Sequence, residues 1–91
     1  GVCGLAASAY HEASGRAMDV YTDLPGVQFY TGNWLGGEKG KDGASYEDRD
    51  AFCFETQMYP DSVNHPQFPS PVVKAGTAHV TRTSYQFYIG K

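Results

Sequence analysis

Ninety-one residues allow one modest domain and not two, and a chain of this length buries only about 60 to 65% of the surface its unfolded form exposes, so a thin core is expected. Hydrophobic residues make up 41%, charged residues 19% and aromatic residues 14%, a composition that excludes a disordered chain. Ten acidic against seven basic residues give a net charge of -3, which offers no long-range attraction to a phosphate backbone or an anionic bilayer, and no apolar run approaches the roughly 20 residues of a membrane span, so neither nucleic acid nor membrane is an expected partner.

The opening GVCGLAASAY has no methionine and no basic segment, which we read as the start of a fragment or processed chain and not of a signal peptide. Leu5–Tyr10 and Ala17–Thr22 flank HEASGR, where Gly15 is suited to the positive φ of a tight reversal, and the pair is predicted to be a β-hairpin. Leu24-Pro25-Gly26 is a turn signal before the aromatic and branched run Val27–Thr31, a third strand. From Gly32 to Arg49 glycines alternate with charges, and the segment is expected to be a long solvated loop with no role in the core.

Ala51–Gln57 returns to a period of two, with Phe52, Phe54 and Thr56 on one side and Cys53, Glu55 and Gln57 on the other. The phenylalanines are expected to face the interior, which turns Glu55 the opposite way. Pro60, Pro66, Pro69 and Pro71 deny regular hydrogen bonding to Met58–Pro71, an irregular but stiff loop. A last strand is predicted over Thr77–Ile89, with Thr81, Thr83, Tyr85, Phe87 and Ile89 sharing one face. No window of helical length carries a 3.6-residue apolar stripe, so the fold class is all-β.

Two cysteines are too few for a disulfide scaffold or a thiolate metal cluster. Cys3 and Cys53 are expected to be buried thiols of a reducing, cytoplasmic environment, with one bridge between them left open. His11, His65 and His79 are far apart in the chain and show no metal-ligand spacing. A sugar site has more support, because Gln28, Asn33, Glu55, Gln57 and Asn64 stand among Phe29, Tyr30, Trp34 and Tyr59, mixing hydroxyl partners with rings for the carbon face of a pyranose. Such a mixture is also common on ordinary β surfaces.

PGVQFYTGNWL at Pro25–Leu35 and FCFETQMYPDSVNHPQFPSPVVKAG at Phe52–Gly76 closely resemble the carboxy-terminal part of the galactose mutarotases, or aldose 1-epimerases. YHEASGRAMDVYTDLPG is similar to that family's hairpin and RTSYQFY to its closing strand, so the resemblance covers nearly the whole of residues 1–91. It implies that these residues are a carboxy-terminal portion, roughly the last quarter, of a large antiparallel β-sandwich that interconverts the α and β anomers of a hexose such as galactose or glucose. No metal or organic cofactor is implied.

The family's catalytic base falls on Glu55 and its sugar-contacting glutamine on Gln28. Partial burial is expected to tune the glutamate for proton abstraction. The family's acid histidine belongs to an upstream portion that has no match here, so a complementary amino-terminal mutarotase polypeptide is the expected partner besides the monosaccharide. A non-catalytic carbohydrate-binding module and a purely structural β fragment are the alternatives in function, and a compact small barrel is the alternative in architecture. Arg49 and Asp50, at the loop boundary, are weaker site candidates.

Overall fold

A computed structural model describes residues 2–90, one residue short at each end of the expected 1–91 unit; the expectation drawn from the first residue lies outside this range. Its strands are β1 (Gly4–Tyr10), β2 (Arg16–Thr22), β3 (Gly26–Tyr30), β4 (Cys53–Gln57) and β5 (Thr83–Ile89). They form two antiparallel sheets, one ordered β1-β2-β5 and the other made of β3 and β4.

The hairpin β1–β2 closes as the sequence predicts. Gly15 takes φ 76°, its N–H donates to the His11 carbonyl at 2.8 Å, and the His11 N–H donates to the Arg16 carbonyl at 2.9 Å. Gly15 also accepts the Gly90 N–H at 2.7 Å, so the same turn receives the end of β5. A register shift between Leu5 and Ala7 bends β1, an edge strand, as a bulge does.

The strand β2 is paired on both sides, and its alternation decides which residues are inside. One face carries Met18, Val20 and Thr22 opposite Phe87, Tyr85 and Thr83 of β5; the other carries Ala17, Asp19 and Tyr21 opposite Tyr88, Gln86 and Ser84. Val20 is fully buried at 0% exposure, and Ala17 is the other buried apolar residue among those described. The core is therefore as thin as the length suggests.

A chain of threonine hydroxyls ties the two sheets together. Thr56 of β4 lies 2.7 Å from the Thr83 hydroxyl, which lies 3.1 Å from that of Thr22; Thr22 donates to the Arg82 carbonyl at 2.9 Å and accepts the Leu24 N–H at 3.1 Å. This link turns the Thr56 face of β3–β4 toward the Val20 face of the larger sheet.

The expected strand over Thr77–Ile89 is shorter than its pattern: regular pairing starts only at Thr83. Before that point β2 has ended, and side chain and turn geometry replace the ladder. The Asp23 carboxylate accepts the Arg82 N–H at 3.0 Å, and the Asp23 N–H donates to the Arg82 carbonyl at 3.3 Å. The predicted face of Thr83, Tyr85, Phe87 and Ile89 does hold within the strand.

Phe52 and Phe54 share a side with Thr56 as expected, and they cluster with Phe29 across the β3–β4 pair, the ring centroids of Phe29 and Phe54 lying 5.3 Å apart. Burial is where the expectation of interior phenylalanines fails: Phe52 is 48% exposed and Phe54 half-buried. The rings cover one another, and no further layer among the described residues covers them. Phe52 also borders an open apolar groove of about 360 Å³ shared with Ala9, Met18 and Phe87, and Phe87 is 73% exposed.

The cysteines depart from expectation for the same reason. Both are free and exposed, Cys53 because the period of two puts it on the uncovered face with Glu55, and Cys3 because it precedes an edge strand. Their burial was an inference from residue type alone.

The Gly32–Arg49 segment is largely exposed, as predicted, yet ordered. Lys39 and Ser45 form an antiparallel bridge around a 3₁₀ turn at Lys41–Gly43, Gly36 donates to the Asp48 carboxylate at 2.7 Å, and Arg49, at φ 65°, donates its N–H to the Gly32 carbonyl at 2.7 Å. Met58–Pro71 is irregular, with a single 3₁₀ turn at Ser62–Asn64.

The chain is open, not barrel-like. Its accessible surface of 7122 Å² is about 1,900 Å² more than a compact 9.9 kDa monomer shows. Its radius of gyration is 16.6 Å, against about 12 Å for a compact domain of this length.

Candidate functional site

Gln28 and Glu55, separated by 27 steps in sequence, are direct Cα partners across the β3–β4 ladder. Directly opposite residues project to one face with Cβ atoms about 4.5 to 5.5 Å apart, so the amide and the carboxylate stand side by side. The alternation places Gly26, Tyr30, Cys53 and Gln57 on that face and Val27, Phe29, Phe54 and Thr56 on the other. One side of the ribbon is thus polar and the other apolar.

Both side chains are exposed, and among the described residues neither is drawn into a hydrogen bond with a neighbour. The partial burial expected of Glu55 is therefore not supplied by this chain. What the pair offers is an acceptor carboxylate beside an amide that both donates and accepts, the minimum needed to take a proton from one hydroxyl while holding another.

The Met58–Pro71 loop reaches the start of β3. A Cβ placed on Gly26 would meet Tyr59 Cδ1 at 3.1 Å, so the glycine permits a close approach of ring to strand. Tyr59 packs on Phe68 with centroids 5.0 Å apart, Phe68 on the His65 ring at 5.1 Å, and His65 Nε2 lies 3.1 Å from an Asp61 carboxylate oxygen. Asp61 also accepts from the Asn64 amide at 2.5 Å. His65 and Asn64 thus brace the loop, and Tyr59 is the residue that brings it to β3.

The other histidines stand apart. His11 Nδ1 accepts the Ser14 N–H at 3.2 Å within its own turn, and His79 lines a second, shallow cavity with Leu24, Pro25, Met58 and Pro69. Among the described residues no three histidine, cysteine, aspartate or glutamate side chains gather to hold a metal ion. Arg49 and Asp50 serve the loop: Arg49 through its backbone bond to Gly32, and Asp50 by accepting the Glu47 N–H at 2.8 Å.

One polar cluster escaped the reading of the sequence. Asp19, in the middle of β2, accepts from the Ser8 hydroxyl at 2.8 Å and the Tyr88 hydroxyl at 3.2 Å. Partial burial and the Asp19 carboxylate push the Tyr88 phenol above its ordinary value of 10.0, the nearby Tyr21 adding to the shift. The available signal was an acid at the centre of a strand, between Met18 and Val20.

Among the described residues no helix is long and apolar enough to cross a membrane. The aldose 1-epimerase family model matches residues 4–86. Galactose mutarotases of Bos taurus and Homo sapiens are each 49% identical to the chain over 84 residues, covering 91% of the chain and 25% of each relative. The aldose 1-epimerase of Escherichia coli (strain K12) is 39% identical over 72 residues, covering 77% of the chain and 21% of that protein. The chain spans about a quarter of the length of the curated relatives it matches. With a family match over most of its length and two mutarotase-like segments meeting in one antiparallel ribbon, the chain belongs to the aldose 1-epimerase family.

Proposed function

We propose that the chain is the carboxy-terminal part of a mutarotase-like β-sandwich and that, completed by an amino-terminal mutarotase polypeptide, it interconverts the α and β anomers of an aldohexose such as galactose or glucose. The observation that carries this reading is the pairing of Gln28 with Glu55 on the polar face of β3–β4, in a chain of this family.

The Glu55 carboxylate takes the proton of the anomeric hydroxyl while a histidine of the complementary polypeptide protonates the ring oxygen. The C1–O5 bond breaks as the C1 carbonyl forms, giving the open-chain aldehyde. Rotation about C1–C2 and reclosure on the other carbonyl face return both protons and yield the opposite anomer. Gln28 holds hydroxyls of the same sugar, which keeps the reacting oxygen near the carboxylate.

The need for a complement is supported by packing. Among the described residues, β2 alone of the five strands is paired on both edges, and a two-stranded ribbon such as β3–β4 is marginal by itself. The surplus of about 1,900 Å² is more than twice what one partner buries in a standard interface, and exposed Phe29, Phe52 and Phe87 contribute to it. Completion would cover those rings and desolvate the rim of Glu55. Free Cys3 and Cys53 suit a reducing compartment, and we place the assembly in the cytoplasm.

Polarimetry of freshly dissolved α-galactose, read beside saturation-transfer NMR of the same sugar, tests the proposal. The completed assembly is expected to bind the sugar and to accelerate its optical change. Binding without acceleration would instead make the protein a carbohydrate-binding module, and neither effect would leave a structural β fragment.

A further inference from the structure

Resting on that reading, we propose that Tyr59 is a positioning residue of the sugar site: its ring walls off the Gly26–Gln57 end of the polar face and keeps the pyranose over Gln28 and Glu55. Gly26 belongs to β3 and pairs with Gln57, and the unbroken register from there to Gln28 and Glu55 puts any side chain at position 26 on the face of that pair. A Cβ built there would meet Tyr59 Cδ1 at 3.1 Å and Cε1 at 3.3 Å. The ring therefore lies on the face that carries the amide and the carboxylate, one repeat of the pleat, about 7 Å, from Gln28.

The glycine is explained by this ring and not by its backbone. Gly26 is absent from the positive-φ glycines, which include Gly15 and Gly32, so other residues could adopt its conformation. A glycine inside a strand weakens it and marks a place where another group comes close, and here that group is Tyr59. Burial follows the ring. Gly26 and Gln57 are half-buried, whereas Gln28 and Glu55, the next pair along the same face, are exposed. The covered end stops just short of the candidate pair.

The wall is braced from behind. Phe68 packs on Tyr59 with centroids 5.0 Å apart, the His65 ring lies 5.1 Å from Phe68, and His65 Nε2 stands 3.1 Å from an Asp61 carboxylate oxygen. Held between Gly26 and Phe68, the ring loses little freedom when a ligand settles against it. Its hydroxyl takes part in no hydrogen bond among the described residues, which leaves the phenol free to meet a sugar hydroxyl while the ring meets C–H groups. A pyranose displaced one repeat toward Gln57 would run into Tyr59, so the ring keeps the anomeric hydroxyl within reach of Glu55.

The test uses the completed assembly with galactose as the probe. Tyr59→Ala is expected to raise KM by about 3- to 10-fold, with Tyr59→Phe retaining most of the affinity. Gly26→Ala, which forces the ring to give way by a few tenths of an ångström, is expected to raise KM by about 2- to 3-fold when Tyr59 is present and to leave it unchanged in Tyr59→Ala. In the assembly labelled with 3-fluorotyrosine, the line lost in Tyr59→Phe is expected to shift at saturating galactose. A line that stays put, equal effects of Gly26→Ala in the two backgrounds, or a Tyr59→Ala variant that loses stability in urea while KM per folded molecule holds, overturns the proposal. If the line is silent while Glu55→Gln abolishes anomerisation, the sugar site stands and the role of Tyr59 falls; if the unsubstituted assembly neither anomerises sugar nor shifts the line, both fall.

Discussion

Asp19 and Glu55 each stand at the centre of a β-strand, and the chain treats them oppositely. Asp19 lies on β2, among the described residues the one strand flanked on both sides, where Ser8 and Tyr88 donate to its carboxylate from the neighbouring strands. Glu55 lies on a two-stranded ribbon opposite Gln28, with both side chains exposed and unengaged. A mid-strand acid that accepts hydroxyls from both neighbouring strands on one oxygen reads as part of the scaffold; one beside an unengaged amide is a site candidate. Residue type and spacing are alike in the two cases, and the cross-strand partners separate them.

The comparison can be broken most visibly by testing this chain with and without the proposed complement. The isolated chain, bearing Glu55 without the acid histidine, is expected to anomerise sugar about 100- to 10,000-fold more slowly than the completed assembly in polarimetry. In sedimentation it should associate instead of forming a monodisperse monomer. A stable, cooperative monomer of near-assembly activity would remove the need for a partner.

On the scaffold side, Asp19→Ala in the assembly removes the bonds that the exposed Ser8 and Tyr88 hydroxyls donate, water takes the place of the carboxylate, and urea unfolding is expected to show a loss of about 0.5 to 1.5 kcal/mol. On the site side, Gln28→Ala removes one hydrogen-bonding partner of the sugar and should lower kcat/KM by about 3- to 10-fold, with stability little changed. If Gln28→Ala proved as destabilising as Asp19→Ala, the amide would be scaffold too.

The smallest effect belongs to Tyr88. Because its folded phenol titrates above 10.0, the protonated form is favoured in the fold. That contribution is fully present below pH 10 and is lost as the pH rises through the folded value. Tyr88→Phe should therefore flatten the decline in stability above pH 10, a slope readable from denaturation curves across that range.

The strands of this fold were largely legible because a period of two leaves a direct trace. Phe54 and Thr56 do share one side of β4, with the Phe52 ring just before the strand packed on that of Phe54, and Gly15 does take the positive φ of the hairpin. Tertiary partners leave no such trace. Residues Thr77–Arg82 keep a strand-like alternation but meet no ladder, because the chain after β2 turns away at Leu24–Gly26. The exposure of Cys53 and Phe52 follows from the layer that would lie over each face, which no local pattern encodes. Gln28 and Glu55 were named by resemblance; their register depends on how the 22 residues between β3 and β4 return the chain, and spacing alone does not reveal it.

Polarimetry of α-galactose by the completed assembly, comparing Glu55→Gln with Asp19→Asn and correcting each rate for the folded fraction, tests the distinction between site and scaffold most directly. The account predicts that Glu55→Gln lowers the rate by at least about 100-fold with unfolding unchanged, while Asp19→Asn lowers stability and leaves the rate per folded molecule intact. An unchanged rate in Glu55→Gln would contradict it.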